Sequence, residues 1–228
     1  MEMYSVNNSF NGFGERCEDR VLSRFVIGSD SEELDSYLCR CKNEILNSVY
    51  DYDLICLGSI GDMLFLNGNK YSGKDKTQMS AVDVLEDLVM HAEQCKKLIS
   101  KKKCKSLIEY NRKCNVRDFC RTIVVIPSLD KLLESCVNIN YVKENILKLL
   151  KLEKFSGISV VVCATCENSE AIDFPFINSF LNRILFKTYN NRLVENVSLG
   201  MYNSTNRLDF NQYYYFDYGG LNGMMLSV

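Results

Sequence analysis

Tryptophan is absent from the 228 residues, and proline occurs only twice, at Pro127 and Pro175. No Pro/Gly/Ser-rich stretch interrupts the chain, so nothing marks an interdomain linker. One continuous domain is expected over residues 23–228, behind an extension over 1–22. No run approaches the roughly 20 consecutive apolar residues that span a bilayer. The start, MEMYSVNNSFNGFGERCEDR, lacks the basic stretch and apolar core of a secretory signal. A cytoplasmic location is expected, with the eleven cysteines mostly reduced. A basic excess is missing too: 27 Lys and Arg face 29 Asp and Glu, for a net charge of −2. Phosphate contacts supply most nucleic-acid affinity, so this balance argues against a surface that is basic all over and leaves room only for a local patch.

What is present is an alternation. Short, fully apolar, β-branched runs read as buried strands: Arg24–Gly28, Asp53–Leu57, Ile123–Ile126, Gly157–Ala164 and Arg183–Phe186, with Tyr213–Phe216 as the last. Between them lie helical patterns. Leu34, Leu38, Cys41 and Ile45 repeat at helical spacing after the first strand. Ala81, Leu85, Leu88, Ala92, Cys95 and Ile99 form one face of a long helix, and a helical region runs from Leu129 to Leu152. Strands buried on both faces and alternating with helices imply an α/β fold, doubly wound around a mostly parallel sheet. Functional sites in such sheets lie at the carboxyl ends of the strands. The loops after Ile27, Leu57, Ile126 and Ala164 are therefore the ones to inspect. A four-thiolate zinc site from Cys39, Cys41, Cys163 and Cys166 fits the spacing less well than cysteine as a small core residue.

Two stretches are candidates for a phosphate loop. Gly68–Asp75, GNKYSGKD, matches G-x-x-x-x-G-K-[ST] except at its last position, but no apolar helical stripe starts at its lysine. It reads as a solvated turn. Gly28–Asp35 has the right topology, a first strand followed by a glycine turn and an immediate helix. Its chemistry is inverted: Glu33, Leu34 and Asp35 stand where glycine, lysine and Ser/Thr are needed. Like charges about 4 Å apart repel by about 4 kcal/mol near a surface, so these acids oppose a triphosphate. Ser29-Asp30-Ser31-Glu32 reads instead as a capping box at a helix start.

Several motifs then fall in a known order. Lys97-Leu98-Ile99-Ser100 leads to Leu107 and Tyr110-Asn111. Ile123–Ile126 follows, then Phe155–Ile158 through Cys163-Ala164-Thr165, then Asn182–Phe186. This series resembles the motor domains of FtsK/SpoIIIE-type DNA translocases, from about Phe25 to the C-terminus. The resemblance implies a RecA-like P-loop NTPase fold. It places Walker A at Gly28–Asp35, where of the signature only Gly28 is kept. It places the Walker B acids at Pro127 and Ser128, which can neither hold Mg²⁺ nor polarise water. It places a phosphate-sensing polar residue at Cys166, and it makes Arg183 a candidate interface or phosphate contact, against the plainer reading of a surface arginine at a strand end.

The expected function is that of a catalytically degenerate, non-enzymatic binding or assembly subunit. It would dock onto itself or onto an active FtsK/SpoIIIE-like motor, with no cofactor. Two alternatives stand beside it. One is an ATP-dependent DNA translocase with an atypical nucleotide site, which needs ATP and Mg²⁺. The other is a DNA-binding module built on the basic cluster of Lys96, Lys97, Lys101, Lys102, Lys103, Lys105, Arg112 and Lys113. The bland reading of that cluster is a solvated face whose lysines favour the negative pole of a helix end.

Overall fold

The computed structural model describes residues 22–46, 52–57, 81–115, 121–134, 136, 138–165, 172–202, 204–217 and 222–227. The β-branched runs form strands β1 (Arg24–Gly28), β2 (Tyr52–Cys56), β3 (Arg121–Ile126), β4 (Ile158–Thr165), β5 (Asn182–Phe186), β6 (Gln212–Asp217) and β7 (Asn222–Ser227). They make one seven-stranded sheet in the order β2-β3-β4-β1-β5-β6-β7. β2, β3, β4, β1 and β5 are parallel, and β6 and β7 add antiparallel at one side. The doubly wound α/β expectation holds. Tyr213–Phe216 is not the final strand, because β7 follows it as an antiparallel neighbour.

Parallel strands need crossovers, and helices supply them: α1 (Ser31–Leu46), α2 (Ala81–Lys101), α3 (Leu107–Cys114), α4 (Leu129–Glu134), α5 (Ile139–Ser156) and α6 (Phe174–Asn178), while α7 (Asn191–Ser198) lies between β5 and its antiparallel neighbour β6. The single helical region expected from Leu129 to Leu152 is two helices. Asn138 restarts the chain as N-cap of α5, its side chain accepting from the Tyr141 N–H. Gly157, at φ 68°, ends α5 one residue before β4. α3, α6 and α7 escape hydrophobic periodicity because they are short. Side chains cap them: Ser106 caps α3, Asp173 caps α6 and Asn190 caps α7.

The period of two along the strands divides the core between the two sheet faces. Phe25 and Ile27 join a cluster with Leu85, Leu88 and Ala92 of α2 and with Val142, Ile146 and Leu149 of α5. Val26 turns to the other face and packs with Leu34, Tyr37, Leu38 and Cys41 of α1. β1 is central and completely buried, so its surroundings are tightly fixed. A Cβ on Gly28 would stand 2.9 Å from Cβ of Phe186 on the neighbouring strand.

Buried polar groups knit the amino ends of the strands together. Glu153 Oε1, near the end of α5, accepts from the backbone N–H of Leu22 at 2.8 Å and from the Ser159 hydroxyl at 2.6 Å. The Ser23 hydroxyl accepts from the Val160 N–H at 2.8 Å. Asn182 donates to the Ser23 carbonyl and accepts from the Tyr215 hydroxyl, both at 3.0 Å. This network spans β4, β1, β5 and β6.

Gly28→Ala is expected to lower unfolding free energy by about 1–3 kcal/mol through overpacking against Phe186, read from urea denaturation. A second expectation concerns pH. Burial raises the Glu153 pKa, opposed by its hydrogen bonds from Ser159, Ser23 and Leu22. A raised carboxyl gives stability that is complete below the unfolded value and is lost as pH rises through the folded one. Across that window Tm should fall less steeply in Glu153→Gln than in the native chain. Parallel slopes would mean that Glu153 titrates as it does in the unfolded chain.

Candidate functional site

β1 lies between β4 and β5, while its own chain crosses over to β2 at the far side of the sheet. The carboxyl end of β1 is therefore at a topological switch point, where α/β sheets receive ligands. Gly28 stands there in register with Thr165 at the end of β4. The Ser29 N–H donates to the Lys187 carbonyl at 3.1 Å, which ties the turn to the end of β5.

The structure gives the residues of Gly28–Asp35, where the resemblance places Walker A, local roles. Asp30, not Ser29, caps α1: its Oδ1 accepts from the Glu32 N–H at 2.8 Å, and its carbonyl accepts from the Leu34 N–H. The cap expected at Ser29 thus falls one residue later, and no reciprocal box closes it, since Glu33 accepts from Asn211. Glu33 is only 2% exposed, and its Oε1 accepts from the backbone N–H of Asn211 at 2.8 Å. Burial raises the Glu33 pKa, the Asn211 hydrogen bond opposes this, Asp30 adds to it and Lys187 subtracts. Leu34 is a core residue, 3% exposed, packed with Val26, Tyr37 and Phe186. Asp35 is half-buried, and its charge helps to raise the pKa of the Cys163 thiol beyond what burial does. A phosphate approaching this helix start meets carboxylates already placed at the positive pole of α1.

Pro127 and Ser128, where the resemblance places the Walker B acids, also have local roles. Pro127 is buried. The Ser128 hydroxyl accepts from the Lys131 N–H at 3.4 Å and so caps α4. The nearby acid is Asp130, on the first turn of α4 and 7% exposed. Its Oδ2 accepts from both the N–H and the hydroxyl of Thr165, at 2.8 and 3.0 Å, so it clamps α4 to the end of β4. Its Oδ1 is buried without a hydrogen-bond partner. Sequence reasoning placed Asp130 near the site but missed this clamp, as it missed the Glu33–Asn211 bond, because both join residues far apart in the chain. The candidates Cys166 and Gly68–Asp75 lie outside the described residues.

Arg183 corrects the expectation of a surface arginine. It is 1% exposed and lies near the start of β5, in register with Phe25. Its Nη1 donates to Asn178 Oδ1 at 2.9 Å, Nε and Nη2 are buried without hydrogen-bond partners, and desolvation lowers its pKa. It is held at the amino edge of the sheet, opposite the edge where Gly28 stands.

The basic cluster also occupies the amino edge. Lys96 and Lys154 both lie over the Phe155 ring, 5.6 and 4.9 Å from its centroid, which joins α2 to the last turn of α5 beside the start of β4. Lys103 takes a left-handed turn at φ 55° that ends α2, and the Cys104 N–H returns to the Ile99 carbonyl. The Lys113 ammonium donates to the Lys102 carbonyl at 2.9 Å, bringing α3 alongside. Lys96, Lys97, Lys101, Lys102, Lys103 and Lys105 are exposed. Gly28–Asp35 and the basic cluster are therefore on opposite edges of the sheet.

Two sets of substitutions should separate core from solvent. Leu34→Ala is expected to destabilise by about 2–4 kcal/mol, as for a buried leucine. Replacing Lys101, Lys102 and Lys103 together by Ala should stay within about 1 kcal/mol of the native chain, since surface substitutions are individually small. Chemical denaturation of both variants checks this. A mild Leu34 effect would mean that this position is free to serve a ligand.

No protein-family profile and no curated protein sequence matches the chain. Solved structures do. The conjugation coupling protein TcpA of pCW3, in its monomer form with ATPγS, superposes with a TM-score of 0.64 at 16% identity, covering 90% of this chain and 59% of that one. The cytoplasmic domain of the type VII secretion ATPase EccC from Thermomonospora curvata gives 0.68 at 12% identity, covering 95% and 26%. EssC (ATPases 2 and 3) from Geobacillus thermodenitrificans gives 0.60 at 12%, covering 90% and 38%. This chain thus spans well under two thirds of each of these proteins. At such identities the likeness is one of fold, and that fold is the RecA-like α/β fold of FtsK/SpoIIIE-type P-loop motor domains.

Proposed function

We propose that the chain is a catalytically degenerate domain of the FtsK/SpoIIIE-like fold and acts as a non-enzymatic binding or assembly subunit. The observation that carries this reading is the dual occupation of the phosphate-loop position. Leu34, at the lysine position, fills the core beneath α1, and Glu33, at the last glycine position, is buried on the Asn211 N–H. Neither is available to a triphosphate. Phosphoryl transfer on this fold works by positioning and charge neutralisation: backbone and lysine cradle the phosphates, one acid holds Mg²⁺ and another group orients water. Here the cradle carries acids, the lysine is a leucine, and the Walker B pair is Pro127 and Ser128. Asp130, the nearest carboxylate, already takes two hydrogen bonds from Thr165.

If ATP were bound, Mg²⁺ would be the group that offsets the charge of its phosphates, and among the described residues no cluster of three or more His, Cys, Asp or Glu is placed to hold a metal ion. With chemistry removed, the parts of the fold that remain are its sheet and the exposed lysines of its amino edge. A subunit of this kind serves by presenting a surface. That an active P-loop ATPase of the same fold is its partner is part of the proposal, as is the absence of a cofactor.

Calorimetric titration with Mg-ATP tests the reading. No heat at about millimolar nucleotide, far below the affinity scale of functional sites, is the expected result. Micromolar binding, or steady phosphate release, would return the translocase reading to first place.

A further inference from the structure

His91 is the only histidine of the chain, and it stands one helical turn before Cys95 on α2. Residues four apart on a helix are neighbours on its surface. These two meet: His91 Nε2 lies 3.5 Å from Cys95 Sγ. The core stripe of α2, from Leu85 through Ala92 to Ile99, passes beside them and leaves His91 exposed and Cys95 half-buried at its margin. Leu98, one turn beyond Cys95, is 56% exposed. Lys96, next in the chain, is turned the other way, over the Phe155 ring. Imidazole nitrogen and thiolate sulfur are preferred ligands of zinc. Bonds of about 2.0 Å to nitrogen and about 2.3 Å to sulfur, at a tetrahedral angle, put the two ligand atoms about 3.5 Å apart. The observed separation therefore equals one edge of that tetrahedron. One edge is half a site. Closed nitrogen and sulfur sites have four protein ligands, and among the described residues no third ligand joins the pair.

We propose that His91 and Cys95 form half of a zinc site, which the same pair from a second copy of this chain completes. The occupant follows from coordination number: two ligands from each chain and four for the ion give one ion between two chains. Such a contact is isologous, with the same patch of α2 on both sides of a two-fold axis, and the exposed Leu98 lies within that patch. As each sulfur–zinc bond forms, the thiol proton leaves to solvent, and each imidazole binds through the Nε2 lone pair with its own proton on Nδ1. Two thiolates and two neutral imidazoles balance the charge of the ion, so the contact buries no net charge. α2 packs on the sheet face opposite α1. The site is thus independent of whether Gly28–Asp35 receives nucleotide.

Sedimentation equilibrium of the full chain under reducing conditions, titrated with zinc chloride, tests this. The expected result is a monomer in EDTA and a dimer in zinc, with the change complete at one ion for two chains. His91→Ala and Cys95→Ser should each weaken zinc-dependent dimerisation by at least about a hundredfold, since loss of a group that merely orients a ligand already costs about tenfold to a hundredfold. Cys95→His keeps a metal-binding pair four residues apart on the helix and should restore the dimer. A purely structural role for Cys95 gives no such rescue. His91 is exposed and Cys95 is half-buried, and unchanged thermal melts in EDTA confirm that the variants fold. A chain that stays monomeric in zinc overturns the proposal. So does a dimer that survives EDTA, and so does a monomer that binds one zinc by itself. Zinc dimers of equal strength in His91→Ala and Cys95→Ser overturn it too, because the ion then rests on other cysteines.

Discussion

Parallel pairing from β2 through β5 is the constraint from which the rest of the molecule follows. Each parallel neighbour must be reached by a crossover, and each crossover helix starts where a strand ends. α1 begins three residues after β1, and α5 ends two residues before β4. The positive poles of these helices therefore collect at one edge of the sheet and the negative poles at the other. At these poles α2 carries Asp83 in its first turn and Lys101 in its last, and α1 carries Glu32 and Glu33 in its first turn.

Much of this was legible in the chain. The buried strands are short β-branched runs that no other element type fits, and parallel topology followed from their alternation with helices. The inverted chemistry of Gly28–Asp35 was equally plain, because it depends on residue type alone. What could not be read was where long-range hydrogen bonds would run. Asp130 lies three residues beyond Pro127, but nothing local says that it turns back to Thr165. Glu33 and Asn211 are 178 positions apart. The burial of Arg183 was hidden because a charged residue at a strand start is normally exposed, and the strand neighbours that flank it, at Phe25 and Phe216, are distant in the chain. Short helices such as α6 and α7 carry too few turns for periodicity, so their caps are the only signal.

The amino edge shows how a buried polar network can substitute for a hydrophobic seam. Glu153 reaches from α5 to the segment that enters β1, and Ser23, Asn182 and Tyr215 carry the connection across three strands. Such networks are strong when every member is satisfied and demanding when one is not. Glu153 Oε2 and the two bare nitrogens of Arg183 are buried without partners.

Leu34 and Glu33 have an evolutionary consequence. Each is now bound into the fold, one by packing and one by a hydrogen bond to Asn211, so their identities are coupled to residues outside the loop. A lysine at position 34 places an ammonium in an apolar core, and a glycine at position 33 strands the Asn211 N–H. Neither step alone creates a phosphate cradle, and each alone weakens the domain. Paths between this edge and a nucleotide-binding one cross a valley of lower stability, passable only by concerted change. The side chains of Glu32, Lys101 and Lys102 carry no such entanglement. Sequence drift in this domain should run freely over such exposed positions and hold still at Glu33 and Leu34.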